Sequence, residues 1–411
     1  MMKKILWLCN TMLPDLFGRF HTYSVKEGWL VGISDEIKRQ GNIEFHYACP
    51  QMNERRIVNI KNDSISFHCF YTSGHDSYTV EENVREQIGK IISQVKPDII
   101  HIFGTEMPHS AACVECAPQK EKIVISIQGL VSEYAKHYLN GIPHWAYLEG
   151  GFCGGRYQTI LSQHREFCKR AENEFRAIRG VKHVIGRTEW DKACVNRINS
   201  RCQYHYCSET LRNVFYEEQW QINKIERHTI FVSQGDYPIK GLHHLLAALP
   251  SVIKKYPDTK VYVAGAKAFL EDGSPYGRYI QKMIGKKGLN QYISFLGMID
   301  QDKICHQLLK THVTVMPSNI ENSPNSIGEA MLLGTPVIAA FVGGIPSILK
   351  HETEGLLYQP DSSSMLSYYI CKVFEDDLFA RNLSINGRKR AEKLYDRENN
   401  LQQLLEIYDS I

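Results

Sequence analysis

The feature that most constrains this chain is an alternation that occurs twice: short, β-rich apolar runs separated by longer amphipathic stretches. Runs that are apolar on both faces suit the strands of a parallel sheet, and the stretches between them suit the crossover helices such a sheet requires. In the first half the pattern predicts strands over residues 4–9, 43–48, 65–70, 99–103, 123–127 and 183–186. Helical patterns fall near residues 28–40, 80–95, 109–116 and 165–179. A polar and aromatic stretch, 213–228, breaks the rhythm, and a cleaner alternation follows with strands over 229–233, 260–264, 293–297, 313–317, 337–340 and 355–358. Residues 378–411 read as two helices. The chain is therefore expected to be α/β, with two doubly wound Rossmann-like domains facing across a cleft. The expected bounds are 1–212 for the first, 213–228 for a linker and 229–395 for the second, with a helix near 396–411 able to pack back onto the first.

Length and composition agree with this and remove other classes. A chain of 411 residues with 43% hydrophobic and 23% charged residues is ordinary globular material in two or three domains. A net charge of +3 is too small for a whole-molecule nucleic-acid neutraliser. No apolar run approaches the roughly 18 residues a bilayer span needs. The start, Lys3-Lys4-Ile5-Leu6-Trp7-Leu8-Cys9, resembles a signal peptide only briefly, and a buried strand is the better reading. Twelve cysteines without a regular framework predict reduced thiols and a cytoplasmic protein. Cys113-Val114-Glu115-Cys116 has metal-site spacing but no second pair to complete one, and no metal or other cofactor is expected. The glycines at 150, 151, 154 and 155 lack the dinucleotide spacing, which argues against a nicotinamide enzyme. Residues 165–201 are locally basic; a solvated helix face is the first reading, and peripheral contact with anionic lipid at the inner membrane is the second.

In open α/β sheets ligands bind beyond the carboxyl ends of the strands, so the chemistry is sought in the loops that follow them. After the strand ending at Pro317 comes Ser318-Asn319-Ile320-Glu321-Asn322-Ser323-Pro324-Asn325-Ser326-Ile327-Gly328-Glu329. Ser323 as N-cap and Pro324 as first helical residue would start a helix whose free amides suit a phosphate, with Asn322, Asn325 and Ser326 beside it. Glu321 precedes that start, and Glu329, inside the helix, has a carboxylate able to take both hydroxyls of a ribose.

Glu321 and Glu329 are separated by seven residues and followed by Gly334-Thr335-Pro336-Val337 and Gly343-Gly344-Ile345-Pro346. This run resembles the E-x7-E region of family-4 glycosyltransferases, retaining enzymes of the GT-B fold, often builders of bacterial surface polysaccharide. The resemblance implies that Glu321 meets the donor sugar and Glu329 the nucleotide ribose. In Phe231-Val232-Ser233-Gln234-Gly235-Asp236-Tyr237-Pro238-Ile239-Lys240-Gly241, it implies that Lys240 binds the donor diphosphate, with Gly235 in the same loop. Ser233-Gln234 stand where the family commonly has Gly-Arg, and the residue that supplies the missing cation is left open. Gly28 matches one of two adjacent phosphate-contacting glycines, with Glu27 in place of the other.

On the acceptor side, Glu106 and His109 follow the strand ending at Phe103, and Gln128 stands where many relatives carry a histidine. The expected activity is metal-independent transfer of a sugar from a nucleotide-sugar to a hydroxyl of a saccharide or lipid-linked saccharide, with catalysis resting on Lys240 and Glu321. A nucleotide-sugar epimerase of similar architecture and a non-catalytic saccharide-binding subunit are the alternatives.

Overall fold

The computed structural model describes residues 2–20, 28–62, 64–74, 76–153, 155–265 and 273–411; Glu27 and Gly154 lie outside them. The chain forms two compact units, one made of 1–135, 166–210 and 396–411, the other of 136–165 and 211–395. Among the described residues no helix is long and apolar enough to cross a membrane.

The first unit is built on β1 (Lys3–Leu8), β2 (Ile43–Gln51), β3 (Val58–Lys61), β4 (Ser66–Tyr71), β5 (Ile99–Phe103), β6 (Ile123–Ser126), β9 (His183–Gly186) and β10 (Gln203–Tyr206), arranged in the order β10-β9-β6-β5-β1-β2-β4-β3. All neighbours are parallel except β3, which runs antiparallel to β4 at the edge. Strand β1 shows why the apolar start is a strand: Ile5, Trp7 and Cys9 enter the core on one face while Leu6 and Leu8 enter the core on the other. Helices α1 (Gly28–Lys38), α2 (Glu82–Val95), α3 (Pro108–Cys116), α4 (Ile160–Arg179) and α5 (Glu189–Ile198) follow the strands. The last helix of the chain also belongs here. Its Tyr408 hydroxyl accepts from Trp7 Nε1 at 2.9 Å and lies 2.6 Å from His101 Nδ1, whose Nε2 meets Ser126 Oγ at 2.7 Å.

The second unit has a six-stranded, wholly parallel sheet of β11 (Thr229–Val232), β12 (Lys260–Ala264), β13 (Ile293–Gly297), β14 (Val313–Met316), β15 (Val337–Ala340) and β16 (Leu356–Tyr358), ordered β13-β12-β11-β14-β15-β16. Its longer helices are α6 (Leu242–Lys255), α7 (Pro275–Lys287), α8 (Gln301–Lys310), α9 (Asn325–Leu333), α10 (Ser363–Glu375) and α11 (Asp377–Leu394), and α12 (Arg397–Ser410) closes the chain in the first unit. Asp300 caps α8 by accepting from Lys303 N at 2.9 Å, an ordinary helix start for the Asp-Gln-Asp run.

The division differs from the sequence-based one in two segments: 211–228, expected as the end of the first domain and a linker, belong to the second unit, and so do 136–165. Residues 136–165, placed in the first domain by chain continuity, group with the second. They carry a small antiparallel hairpin, β7 (Gly150–Cys153) with β8 (Arg156–Thr159). The reason is side-chain chemistry: the Asn140 carbonyl accepts from His243 Nε2 at 2.9 Å and from Asn319 Nδ2 at 3.1 Å, Glu149 pairs with Lys282, and Trp145 packs edge-on against Tyr279.

Candidate functional site

In the second sheet the strand order reverses between β11 and β14, the kind of position at which open α/β sheets bind ligands. The loop after β11 carries Lys240 and the loop after β14 carries Glu321. The structure brings them together: Lys240 Nζ donates to Glu321 Oε1 at 2.7 Å, and Ser318 Oγ donates to the same oxygen at 2.8 Å. Glu321 is 4% exposed, so this is a buried carboxylate held by one cation and one hydroxyl.

The local sequence explains how Lys240 gets there. Pro238–Lys240 form a single 3-10 turn rather than the start of the following helix, and Gly241 takes the left-handed region at φ +66°. A Cβ on Gly241 would lie 1.9 Å from the Pro317 carbonyl oxygen, so only glycine lets the two loops touch. Asn319 completes the seam: its N–H donates to the Ile239 carbonyl at 2.7 Å, its Nδ2 to the Pro238 carbonyl at 3.1 Å, and its Oδ1 accepts from His244 Nε2 at 2.7 Å. Gly343 sits on the other side of Glu321, at φ +51°, where a Cβ would meet the Glu321 carbonyl oxygen at 2.0 Å. Gly344 N–H donates to that oxygen at 3.0 Å, so this glycine pair fixes the Glu321 backbone.

Helix α9 begins at Asn325 with Pro324 as its N-cap, one residue later than Ser323 and Pro324 suggested, and no side chain caps it. Proline needs no amide partner and its extended φ and ψ suit the cap position, which is why the boundary moves. Asn322 is buried, Ser323 and Ser326 are half-buried, and Asn325 Oδ1 is out of solvent without a hydrogen-bond partner. Glu329 lies within α9 and pairs with Arg212, whose Nε and Nη2 reach Oε1 at 2.8 and 2.7 Å. Burial pushes Glu329 above the ordinary carboxylate range, and Arg212 opposes that rise. Gly235 is buried between Leu242 and Val263 with little room for a side chain. Ser233 and Gln234 are half-buried.

The first unit does not gather its candidates in the same way. Its strand order reverses between β5 and β1, and there Glu106 Oε1 accepts from Asn10 Nδ2 at 2.7 Å while burial raises the Glu106 pKa. His109 turns into the core instead, edge-on to Phe70 at 5.6 Å, and burial lowers its pKa to about 4. Gln128 lines a cavity of about 40 Å³ with His101, Ser126, Arg187 and Thr210. Among the described residues the three make no hydrogen bond to one another. Gly28 opens α1, as the sequence pattern placed it.

Sequence reasoning did not single out Arg212, Asn319, His244, Asn140 or Asn10. Asn319 stood within the quoted run without a role, and Arg212 adjoined the expected linker. Nothing in spacing alone links Asn140 to a residue 179 positions later.

Residues 215–390 match the model of the glycosyl transferases, group 1. That span contains Lys240, Glu321 and Glu329. An uncharacterized glycosyltransferase of Methanocaldococcus jannaschii is 26% identical over 44% of this chain and 45% of its own length. The MMP alpha-(1->4)-mannosyltransferase of Mycolicibacterium hassiacum is 23% identical over 45% of this chain and 44% of its own. The chain thus spans under half the length of these curated relatives. Among solved structures, sucrose-phosphate synthase from Thermosynechococcus elongatus matches with a TM-score of 0.72 at 16% identity, covering 99% of this chain and 98% of that one. HepE from Anabaena, solved with UDP and glucose, matches with a TM-score of 0.71 at 17% identity and covers both chains fully. At such identities the likeness is one of fold, that of the GT-B glycosyltransferases with two Rossmann-like domains.

Proposed function

We propose that this chain is a retaining glycosyltransferase that moves a sugar from a nucleotide-sugar to a hydroxyl of a saccharide or lipid-linked saccharide, in the cytoplasm and in the service of surface polysaccharide. The observation that supports it is the 2.7 Å pair of Lys240 and Glu321 at the strand-order reversal, inside the segment that matches the family model. In an activated sugar one oxygen joins the anomeric carbon to phosphorus. A cation for the diphosphate and a carboxylate for the sugar therefore have to be neighbours, and these two are.

In the proposed step the acceptor oxygen attacks the anomeric carbon from the face the diphosphate leaves. The carbon–oxygen bond to phosphate breaks as the new one forms, and the acceptor proton passes to a phosphate oxygen of the departing nucleoside diphosphate. Lys240 balances the charge that develops on that leaving group, and Glu321 orients the sugar hydroxyls. Glu329 takes the ribose hydroxyls. Glu106, at the strand-order reversal of the other sheet, is the acceptor-side candidate retained; His109 and Gln128 are not needed. The reading assigns no metal, so transfer should persist in excess chelator.

HepE is solved with UDP and glucose, which makes UDP-sugars the first donors to try. A thermal-shift screen against UDP-, GDP- and dTDP-sugars tests the proposal, because a ligand that binds only the folded state raises the melting temperature. One class should stabilise the chain and then yield free nucleoside diphosphate with a saccharide acceptor. Stabilisation by none would overturn the reading. Binding without turnover would favour a non-catalytic saccharide-binding subunit, the alternative that Ser233-Gln234 supports.

A further inference from the structure

Arg212 belongs to no catalytic pattern in the sequence. It lies in the segment leading to the short helix Val214–Glu217, with its guanidinium stacked 4.8 Å from the Phe215 ring. Both of its contacts with Glu329 end on Oε1, which leaves Oε2 outside the ion pair. The two side chains are 11% and 8% exposed. Desolvating such a pair costs about as much as its attraction returns, so two apolar side chains of similar size would serve packing equally well. A carboxylate with one oxygen clamped and the other outside the clamp is instead suited to a ligand with adjacent hydroxyls.

We propose that Arg212 is a positioning residue: it fixes the Glu329 carboxylate so that a nucleotide's ribose diol meets an oriented, charged acceptor. This rests on the reading of Glu329 as the ribose ligand. The titratable groups that face this carboxylate are Arg212 itself and, from α8, the Cys305 thiol, pushed up to about 11 by burial and by Glu218, Asp302 and Glu329. The thiol stays neutral below pH 9, which leaves Arg212 to oppose the rise that burial imposes on Glu329. Without the guanidinium Glu329 takes up a proton at higher pH, and one of its oxygens turns from acceptor to donor.

The test is calorimetric titration of the full chain with UDP and with GDP, from pH 5.5 to 8, for the wild type and for Arg212→Met, Arg212→Lys, Glu329→Gln and the double variant Arg212→Met/Glu329→Gln. Arg227→Ala, which removes an exposed pair with Asp377, serves as control. Expected for Arg212→Met is a loss of affinity of about tenfold or more, growing as the pH falls and setting in at a higher pH than any decline in the wild type. Arg212→Lys, which cannot reproduce the two-nitrogen contact, should lie between them. The double variant should bind no more weakly than Glu329→Gln alone, because the arginine acts through the glutamate.

Wild-type affinity in both arginine variants, with weak binding by Glu329→Gln, would overturn the role of Arg212 and leave the ribose assignment standing. Wild-type affinity in Glu329→Gln would overturn the ribose assignment itself. Losses that add in the double variant would show that Arg212 acts independently, which also overturns the proposal. If Arg212→Met does not fold, Arg212→Lys carries the same comparisons, including its own double variant with Glu329→Gln.

Discussion

On the proposed function, a lysine that already sits 2.7 Å from a buried carboxylate has to share or exchange that partner when the donor diphosphate binds, and the carboxylate would gain sugar hydroxyls in place of the ammonium. This coupling makes Lys240 and Glu321 a unit, and substitutions at the two should be far from additive. Lys240→Ala should slow transfer by about 10²-fold or more, read as nucleoside diphosphate released per enzyme. It also leaves Glu321 buried without its cation. Glu321→Gln keeps the shape and removes that charge, so it should lower kcat more than it weakens donor binding. Unchanged turnover in Lys240→Ala would remove the lysine from the mechanism.

At the scale of elements, what matters is how two loops are held against each other. Gly241→Ala places a Cβ into the Pro317 carbonyl and a non-glycine residue in the left-handed region. It should cost about 1–2 kcal/mol for the backbone alone and displace Lys240, so urea denaturation and the donor-induced thermal shift should both suffer. In the other unit Tyr408→Phe removes the hydroxyl that links Trp7 to His101 and strands a buried indole N–H. A loss of about 1–3 kcal/mol is expected in urea. The strands that place both features were legible because they are buried on two faces and therefore read as unbroken apolar runs. Strands β3, β7, β8 and β10 were missed: each is four residues long, β3, β8 and β10 are half-exposed or worse along most of their length and β7 opens on two glycines, so neither alternation nor apolarity marks them. Lys240, Glu321 and Glu329 were picked out because each lies in a short run that resembles a family motif, and such runs are local in sequence. Arg212 was not, since its partner lies 117 residues away. Residues 136–165 were misassigned because composition records nothing of the hydrogen bonds that Asn140 accepts.

For the whole molecule, buried titratable groups set how stability responds to acid. Burial lowers His101 to about 3 and His109 to about 4, from an ordinary 6.5. Between those values and 6.5 the unfolded chain binds protons that the folded chain refuses, so these histidines cost stability progressively as the pH drops below 6.5. Glu106, Glu174 and Glu329, raised by burial, act in the opposite sense. Comparison with His109→Phe isolates one contribution. From pH 7 to 5 the variant should lose less stability than the wild type, by up to about 1.4 kcal/mol per pH unit, and parallel curves would mean that His109 takes up its proton in the fold at the same pH as in the unfolded chain. The path of the chain has a separate consequence. It passes from one unit to the other after Ala135, Arg165, Thr210 and Tyr395. No single cut liberates either unit intact, and because the indole–phenol–imidazole link joins Trp7 to a residue 401 positions later, the first sheet cannot complete it during synthesis until the whole of 211–395 has been made.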